Sequence, residues 1–376
     1  MKDDREKRRL KAAVIGLGIG MAHVAGYLKS EDVELYAVCD LIPQRLSCVG
    51  GTFESGSMLC LRPLFSPDVL GKRWEEIGVK VSRSYEEILN DPEVDIISIC
   101  TPDYLHHEHL RSAMRHKKHI MLEKPVSINL EDTESLKEEI ADYERQICIG
   151  YEFRVNPVIK RLKEYVDRGE LGVLQAFSLY HFRTPFRRDK WNQWIQKREF
   201  SGGLVIEETC HWFDLARYIT GKEIDSVHCV TASGVHDDFD FEDIAYIQGT
   251  YEGRGIFQIS HALTGFDFSL QITIHGSKGT LWAGLKEQSY SSLDNGATDY
   301  YGIVSKGVPG GLPTDAIIET FGEEAAEPWN IQEMVVEFCH DVVEGTPVRA
   351  SYDDGIDSLR IAVAALRSAD VLGESS

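Results

Sequence analysis

The first segment whose residue types could bind a specific molecule is the turn GLGIGMAH (16–23), which joins a strand-like run to a helical one. Gly16 allows a tight turn, and Gly18 lets the backbone approach a pyrophosphate without a Cβ atom in the way. The helix that begins near Ile19 would point free N–H groups and a partial positive charge at phosphate oxygens. This pattern favours a phosphate-binding turn, although an ordinary glycine-rich turn remains the alternative when the motif is taken alone.

An acid further along the chain strengthens this interpretation. The third glycine or alanine of the usual pattern would fall at Met21, whereas Gly20 comes one residue early, so we expect slightly different helix–strand packing. Asp40 ends the next strand-like run, at about the distance where an acid meets the ribose hydroxyls of a dinucleotide. A carboxylate there repels a 2′-phosphate, which favours NAD, while the nearby Arg45 keeps NADP possible. The predicted cofactor-binding residues here are Gly16, Gly18, Ile19, Gly20 and Asp40.

Two further regions place polar side chains where a ligand would lie beside such a cofactor. The segments TPDYLH (101–106) and EKP (123–125) close successive strand-like runs, and ligands bind outside the carboxyl ends of strands in an open parallel sheet. The segment 201–221 places His211 and Asp214 three residues apart, on one face of a predicted helix. Taken singly, each could be structural: a solvated strand end, a packing histidine or a surface acid. Their joint occurrence in order favours a site.

This ordered set of motifs resembles the Gfo/Idh/MocA family, which includes glucose–fructose oxidoreductase and inositol dehydrogenases. The resemblance spans nearly the whole chain. The matching elements are the GLGIG loop, Asp40, TPDYLH, EKP, GYEFRVNP (150–157), the GG turn followed by His211-x-x-Asp214, and the C-terminal SYDDGIDSLRIAVAALRSAD.

The resemblance implies hydride transfer between nicotinamide C4 and a carbon that bears a hydroxyl, usually in a sugar, inositol or similar polyol. It implies that Lys124 is catalytic, that it bonds the reacting oxygen, and that burial and the nicotinamide lower its pKa. Glu123 would hold Lys124 or the nicotinamide ribose. His211 would relay the proton, and Asp214 would orient its ring or help to bind substrate.

The resemblance also implies which residues surround the nicotinamide half of the cofactor. Thr101, Pro102 and His106 would line it, and Glu123 and Lys124 complete the predicted cofactor contacts. The proline that matches Pro125 is cis in many relatives and would aim the lysine. The histidines at 106, 107 and 109 cannot converge on one helix face, so no metal site is predicted there or elsewhere.

Two positions depart from the family pattern, one bearing on the substrate and one on the cofactor contacts, and a third residue could contact the substrate. Glu207 stands where many inositol-type relatives have Asp, and Asp103 where relatives commonly carry Asn. Arg154 has two interpretations, a contact to an acidic substrate or an interdomain salt bridge. The predicted substrate-binding residues are Lys124, Arg154, Glu207 and His211.

These segments require a scaffold in which several strands end at one edge. Short apolar runs alternate with helical patterns over 1–150, which predicts right-handed βαβ units in a doubly wound parallel sheet, a Rossmann domain. Residues 47–78 interrupt this rhythm and are interpreted as an insertion near the adenosine end: a lid, a subunit contact or a tolerated loop. The predicted strands are 10–16, 33–40, 94–101, 119–125 and 146–151, and the predicted helices lie near 22–30, 106–118 and 130–144.

The pattern changes in the remainder of the chain, 151–376. Long strands that follow one another without helices predict a large, mostly antiparallel sheet in an α+β domain that would bind substrate and mediate oligomerisation. Residues 286–328 are expected to be irregular, and 329–372 to form two helices, the last of which could pack back on the first domain. The predicted strands of this second domain are 173–183, 226–235, 243–252, 255–264 and 268–283.

Composition limits the partners and the compartment. The 376 residues carry a formal net charge of -21, and an acidic surface repels nucleic acid and anionic lipid, so neither is an expected partner. No run is apolar for long enough to span a membrane, and the charged start does not resemble a secretory signal. The eight cysteines are scattered without a C-x-x-C pair, so a disulfide framework or a zinc site is not expected and the cytoplasm is the predicted location.

Two other functions remain open alongside the dehydrogenase. Some members of this fold cleave glycosides through a transient NAD-dependent oxidation, and a few relatives are non-catalytic sensors. The intact Lys124 and His211 count against a sensor. Because the large sheet should have one open face, which relatives bury against another subunit, a homodimer or homotetramer is expected.

Overall fold

The computed structural model describes residues 8–50, 64–185, 191–265, 268–286, 302–325 and 330–371. None of the helices in these ranges combines the length and the apolarity needed to cross a membrane.

The first sheet has six parallel strands in the order β3-β2-β1-β4-β5-β6, which confirms the predicted doubly wound sheet. Its strands are β1 Leu10–Ile15, β2 Val33–Cys39, β3 Lys80–Ser82, β4 Ile96–Ile99, β5 His119–Glu123 and β6 Ile147–Gly150. The helices that flank it are α1 Gly20–Lys29, α2 Tyr85–Asn90, α3 His106–Arg115, α4 Leu130–Ser135 and α5 Lys137–Ala141.

Both faces of this sheet are buried, which explains why its strands read as continuous apolar runs. In β1, Ala12 and Val14 belong to one core cluster, while Ala13 and Ile15 belong to the other. Alternate side chains of one strand therefore pack into the layers on opposite faces. The carboxyl edge of the sheet, where β1, β4 and β5 end, carries the three motifs singled out in the sequence.

The differences from prediction in this half are local. The helix expected over 130–144 is broken into α4 and α5, and the short elements β3 and α2 were not predicted. Residues 51–63 of the expected insertion lie outside the described residues. The described part that follows is packed rather than loose, because Trp74 begins a 3-10 turn and is fully buried.

The second sheet has nine strands in the order β14-β13-β12-β11-β7-β10-β9-β8-β15, and it is mostly antiparallel, as predicted. Only the β7–β10 and β8–β15 pairs are parallel. The strands are β7 Leu174–Phe182, β8 Ile224–Ala232, β9 Ile244–Tyr251, β10 Ile256–Ala262, β11 Ser269–Gly276, β12 Thr280–Lys286, β13 Gly302–Gly307, β14 Ile317–Phe321 and β15 Asp370–Val371.

The expectation that 286–328 is irregular is wrong for two parts of it. Strand β13 pairs with β12, and β14 pairs with β13 at the edge of the sheet. Both are short, and β14 has most of its residues exposed or half-exposed, so neither shows the apolar run of a central strand.

Helices cover one face of the second sheet and reach back to the first. They are α6 Pro157–Asp167, α7 Arg198–Ser201, α8 Leu204–Glu207, α9 Thr209–Thr220, α10 Ile331–Glu344 and α11 Tyr352–Arg367. The last two match the predicted C-terminal pair. Helix α10 packs on α1, and α11 contacts both α9 and β6, with the Tyr352 hydroxyl donating to the Thr133 carbonyl at 2.9 Å. The C-terminal helices therefore tie the two sheets together.

Helices α1 and α10 approach each other closely at Gly26. A Cβ atom there would lie 2.6 Å from the Cβ of Val335 and 3.0 Å from the carbonyl oxygen of Gln332. A helical glycine normally costs about 1 kcal/mol relative to alanine. Here we expect Gly26→Ala to lower the free energy of unfolding by about 1–3 kcal/mol, because the helices must separate.

Chemical denaturation measures this difference. Gly307→Ala is the matched control, because nothing lies within 4 Å of a Cβ atom at Gly307. The control should stay within about 0.5 kcal/mol of the wild type. A Gly26→Ala protein as stable as the wild type would contradict the packing described between α1 and α10.

Candidate active site

The turn between β1 and α1 has the geometry of a phosphate-binding loop. Gly16 has a φ of +87°, and a Cβ atom there would lie 2.4 Å from the carbonyl oxygen of Cys100. At Gly18 a Cβ atom would meet only a guanidinium nitrogen of Arg45, at 3.8 Å, so the backbone is open on that side. Among the described residues no side chain caps the start of α1 at Ile19, while the Met21 and Ala22 amides already donate to backbone carbonyls. A helix start without a side-chain cap can receive phosphate oxygens, which fits a dinucleotide.

Gly20 performs the packing role of the glycine missing at position 21. A Cβ atom at Gly20 would lie 2.9 Å from Cγ1 of Val14 and 3.1 Å from Cβ of Cys100. Met21 is fully buried. The displaced glycine therefore allows the close contact between helix and strand that the usual motif achieves one residue later.

Asp40 lies at the end of β2 and holds the loop from the side. Its Oδ2 accepts a hydrogen bond from the Leu17 amide at 2.7 Å, and its Oδ1 accepts one from the Ile42 amide at 2.8 Å. The Arg45 guanidinium is 3.4 Å from Oδ2. A carboxylate has further lone pairs for ribose hydroxyls, and Arg45 offers a cation beside the same position. The site thus has groups suited to NAD and one suited to NADP.

The role expected of His106 needs correction. Its side chain is fully buried, so it does not line a cofactor surface. The ring nitrogens lie 2.7 Å from the carbonyl oxygen of Pro125 and 2.9 Å from that of Thr101. His106 therefore links the segment after β4, which includes Pro102, to the segment after β5. It holds these two segments in position and does not itself contribute to a cofactor surface.

Glu123 also contacts a different partner from the one expected. Its Oε1 lies 2.7 Å from Nε2 of His23 on α1, and Nδ1 of that histidine is 3.1 Å from the Ser98 hydroxyl. A Cβ atom at Gly150 would lie 3.0 Å from the Glu123 carboxylate, so glycine makes room for it. No local pattern singles out His23, because it lies in an apolar helix and its partner is 100 residues away.

Lys124 points from the end of β5 to the junction between α8 and α9. Its Nζ donates to Oε1 of Glu207 at 2.8 Å and to the Glu207 carbonyl at 2.9 Å. The Lys124–Pro125 peptide bond is cis. The second carboxylate oxygen of Glu207, Oε2, is buried and has no hydrogen-bond partner within the described part of the chain. One oxygen of the Glu207 carboxylate therefore still has the capacity to accept a hydrogen bond.

The charge state of Lys124 differs from the expectation. Burial, the largest single effect, would lower its pKa, but the attraction of the Glu207 carboxylate, together with smaller contributions from Cys210, Asp103 and Glu208, outweighs burial and raises the pKa above the usual lysine value. The expected depression of the pKa is therefore wrong for this arrangement. The side chain is a persistent ammonium and a hydrogen-bond donor.

His211 lies one turn along α9 from this pair. It is buried, and burial together with the Lys124 charge holds its pKa well below the ordinary value. The rings of Tyr151 and Phe153 pack edge-on against it, with centroids 5.8 Å and 5.5 Å away. Its Nδ1 is 3.7 Å from Oε2 of Glu152. His211 is therefore a neutral imidazole, able to accept a proton, beside a buried carboxyl group.

Glu152 is a site residue that sequence reasoning missed. It is 3% exposed, and burial followed by repulsion from Glu123 raises its pKa well above the ordinary value. A protonated carboxyl next to a neutral imidazole forms a pair that can pass a proton. The only signal was its place within GYEFRVNP, where a polar residue follows directly on a buried strand.

Arg154 and Asp214 pair with each other, which corrects the roles expected of both. Nε and Nη2 of Arg154 donate to the two carboxylate oxygens of Asp214 at 2.9 Å and 2.5 Å. Nη1 donates to the Arg349 carbonyl at 2.6 Å, and Asp354 accepts a further bond. The guanidinium is 4% exposed and its donors are occupied, so it cannot bind a substrate. Asp214 is oriented toward this network and fixes α9 against α11, instead of orienting the ring of His211.

The structure thus brings Lys124, Glu207 and His211 together and assigns the other predicted residues to positions around them. Gly16, Gly18, Ile19, Gly20 and Asp40 form the loop, Thr101, Pro102 and His106 lie along the chain after β4, and Arg154 pairs with Asp214 of α9.

Two family models match the chain in succession. The model described as "Oxidoreductase family, NAD-binding Rossmann fold" matches residues 10–151, and the GFO/IDH/MocA C-terminal domain model matches residues 159–282. Together they cover the six-stranded sheet and most of the second sheet.

Curated relatives match over similar lengths. The chain is 25% identical over 370 residues to the uncharacterized oxidoreductase YrbE of Bacillus subtilis, across 96% of this chain and 94% of the relative. It is 28% identical over 282 residues to a myo-inositol 2-dehydrogenase of Thermotoga maritima, across 73% of this chain and 75% of the relative.

Solved structures share the fold. A levoglucosan dehydrogenase in complex with NADH and levoglucosan superposes with a TM-score of 0.74 at 17% identity, covering 96% of this chain and 97% of that one. An aldose–aldose oxidoreductase from Caulobacter crescentus, complexed with glycerol, gives 0.72 at 21% identity over 96% and 97%. With its phosphate loop, its two sheets and both matched domains, this chain belongs to the Gfo/Idh/MocA family of NAD-binding oxidoreductases.

Proposed function

We propose that this protein transfers a hydride between the nicotinamide of NAD, or of NADP, and a hydroxyl-bearing carbon of a sugar, inositol or related cyclic polyol. The observation that carries the proposal is the contact of Lys124 with Glu207, one helical turn from His211. The lysine extends from the carboxyl edge of the cofactor-binding sheet, and the other two residues belong to the second domain. A substrate between the domains would meet both.

In this proposal Lys124 binds the reacting oxygen and stays charged throughout. Oxidation of an alcohol to a ketone removes a hydride, which nicotinamide C4 accepts, and a proton from the hydroxyl group. As the hydride leaves, negative charge on the oxygen is stabilised by an ammonium already fixed in place. Since the pKa of Lys124 is raised by Glu207, the lysine donates a hydrogen bond and is not the proton acceptor.

The hydroxyl proton goes to His211. Its imidazole is neutral because burial lowers its pKa, so it has a lone pair available. Oε2 of Glu152 lies 3.7 Å from Nδ1, and this protonated carboxyl can take up the proton from the imidazolium only as it releases its own. In the reducing direction the same groups return the proton to the oxygen of the product alcohol.

A polyol substrate is supported by the acceptors at the site and by the names of the relatives. The unpaired Oε2 of Glu207 can accept a hydrogen bond from a hydroxyl next to the reacting carbon. Relatives include a myo-inositol 2-dehydrogenase, a 1,5-anhydro-D-fructose reductase and a levoglucosan dehydrogenase, all named for cyclic polyhydroxylated compounds. The roles of Lys124, Glu207 and His211 follow from this chemistry.

We place the enzyme in the cytoplasm, without nucleic acid or membrane as partners. The net charge of -21 opposes binding to polyanions. The seven described cysteines are all free, which suits a reducing compartment.

We further propose that the outer face of the nine-stranded sheet forms a homodimer or homotetramer interface. Tyr246 and Tyr180 both lie opposite Ser260, on the strands that flank it, so they share one face. Trp282 and Ile318 both lie opposite Ser305 and extend that face toward β14. The four side chains are 38–62% exposed, an unusual concentration of large apolar groups.

Replacing Lys124 tests the catalytic proposal. Lys124→Met removes the ammonium, and we expect kcat for NAD-linked oxidation of a polyol substrate to fall by roughly two to four orders of magnitude. Binding of NADH, followed by its fluorescence, should change little, because the phosphate loop is untouched. Lys163→Met, at a half-buried position of α6 where the lysine pairs with Asp167, is the matched control and should keep full activity.

The same assay distinguishes the competing functions. A screen of polyols and aldoses with NAD and NADP should yield reduced cofactor in step with the oxidised product. Cleavage of glycosides without net NADH would favour the hydrolase, and biological activity that survives Lys124→Met would favour a sensor. Either result would overturn the dehydrogenase proposal.

The mass in solution tests the proposed interface. Light scattering should give two or four times the chain mass of 42.4 kDa. Trp282→Glu should shift the protein toward the monomer, because a charge would be buried at the contact. Val235→Glu, exposed in a loop outside the sheet, should not. A wild-type mass of one chain would disprove the interface.

A further inference from the structure

A second group of chemically active side chains lies behind the proposed site. His181 on β7, His261 on β10 and Glu208 at the start of α9 are 0%, 0% and 4% exposed. One ligand atom from each lies within 4.8 Å of the others. His181 and His261 are directly paired in the sheet register, so their side chains point to the same face, toward α9. The group is built by three separate segments that converge.

The hydrogen bonds of the two rings fix which nitrogen carries the proton. Nδ1 of His181 is 2.9 Å from the carbonyl oxygen of Ser269, which can only accept, so that nitrogen bears the hydrogen. Nδ1 of His261 is 2.9 Å from the hydroxyl of Thr209, whose own hydrogen is donated to the Leu204 carbonyl at 3.1 Å. This ring therefore also donates from Nδ1. Both Nε2 atoms then present lone pairs toward Glu208.

Three electron-rich groups thus face each other without a hydrogen between them. Nε2 of His181 and Nε2 of His261 are 3.6 Å and 3.9 Å from Oε1 of Glu208. Both distances are too long for an N–H···O hydrogen bond. Neither Nε2 atom, nor Oε2 of Glu208, has a hydrogen-bond partner among the described residues. Such an arrangement in a buried place is unfavourable unless a cation lies at its centre.

The separations suit a metal ion. Two ligands of a tetrahedral zinc ion, each bound at 2.0–2.1 Å, lie about 3.4 Å apart, whereas the three ligand atoms here lie within 4.8 Å of one another, so they would have to move closer by up to about 1.4 Å to complete the site. Metal-bound histidines usually donate their other ring N–H to a carbonyl or polar side chain. Ser269 and Thr209 already provide this support.

One positive charge is already present. Nη1 of Arg183 is 2.9 Å from Oε1 of Glu208. This contact occupies one lone pair of Oε1, the oxygen that faces both ring nitrogens, and it leaves Oε2 without a hydrogen-bond partner among the described residues. A metal would bind through this carboxylate, with Arg183 as an outer contact.

We propose that His181, Glu208 and His261 form a binding site for a divalent transition metal, with zinc as the first candidate. Two imidazoles and one carboxylate are a ligand set that zinc accepts, with a fourth position for water. The metal would fix the first turn of α9. Glu207 precedes Glu208 directly, and His211 follows one turn later, so this site would position both without touching the substrate. The proposal does not depend on which alcohol is oxidised.

Metal content tests the proposal. The wild-type protein, without an affinity tag and with NADH bound, is dialysed against Zn²⁺ or Co²⁺, separated from free metal and measured by mass spectrometry. We expect one metal per chain, visible d–d absorption bands for the Co²⁺ form, and a higher Tm with Zn²⁺ than without it. Glu208→Gln and His261→Gln should bind metal at least about tenfold more weakly.

His275→Gln, which removes an exposed histidine from β11, is the matched control and should bind like the wild type. Wild-type protein that binds no metal would overturn the proposal. The three side chains would then be interpreted as sharing a proton. Equal metal content in wild type, Glu208→Gln and His261→Gln would also overturn it, by placing the metal elsewhere. The wild-type result decides the question even if a variant fails to fold.

Discussion

The contact between the Lys124 ammonium and the Glu207 carboxylate is the constraint on which the rest of the structure depends. It joins the carboxyl edge of the parallel sheet to the helical layer of the second domain. A buried lysine without a partner would lose its proton, and a buried carboxylate without one would gain a proton. Together they remain charged, which leaves a fixed positive charge where an alkoxide would form. The neutral His211 nearby supplies the complementary acceptor.

The surrounding polar networks keep this contact in place. Behind α9, Arg154 is held by Asp214 and Asp354, so the helix that carries His211 is locked to the C-terminal helix. Behind the strand ends, His106 links the segments after β4 and β5. Each network buries charged or polar groups that are costly unless satisfied, and removing one partner costs more than the pair contributes. Their function is geometric, because a displacement of about 1 Å in a catalytic group can reduce the rate a hundredfold.

Sequence reasoning succeeded where the relevant interactions are local. The phosphate loop, Asp40 and the EKP segment are contiguous motifs, and the apolar runs of a doubly covered sheet identify its strands. It failed where partners lie far apart in the chain: Arg154 and Asp354 are separated by 200 residues, so one-dimensional spacing could not distinguish a substrate contact from a salt bridge. The same holds for His23 with Glu123. The edge strand β14 and its neighbour β13 were missed because short, partly exposed strands lack a continuous apolar pattern.

The most direct measurement is the pH dependence of kcat/KM for polyol oxidation by the wild type and by Glu207→Gln. Since Glu207 raises the pKa of Lys124 above 10.5, the wild-type enzyme should show no basic decline up to the highest pH at which it stays folded. Without the carboxylate, burial lowers that pKa, so the activity of Glu207→Gln should decline at a lower pH than that of the wild type. Glu199→Gln, exposed on α7, is the control and should follow the wild type. If kcat/KM depended on pH in the same way at high pH in Glu207→Gln and in the wild type, this account would be contradicted.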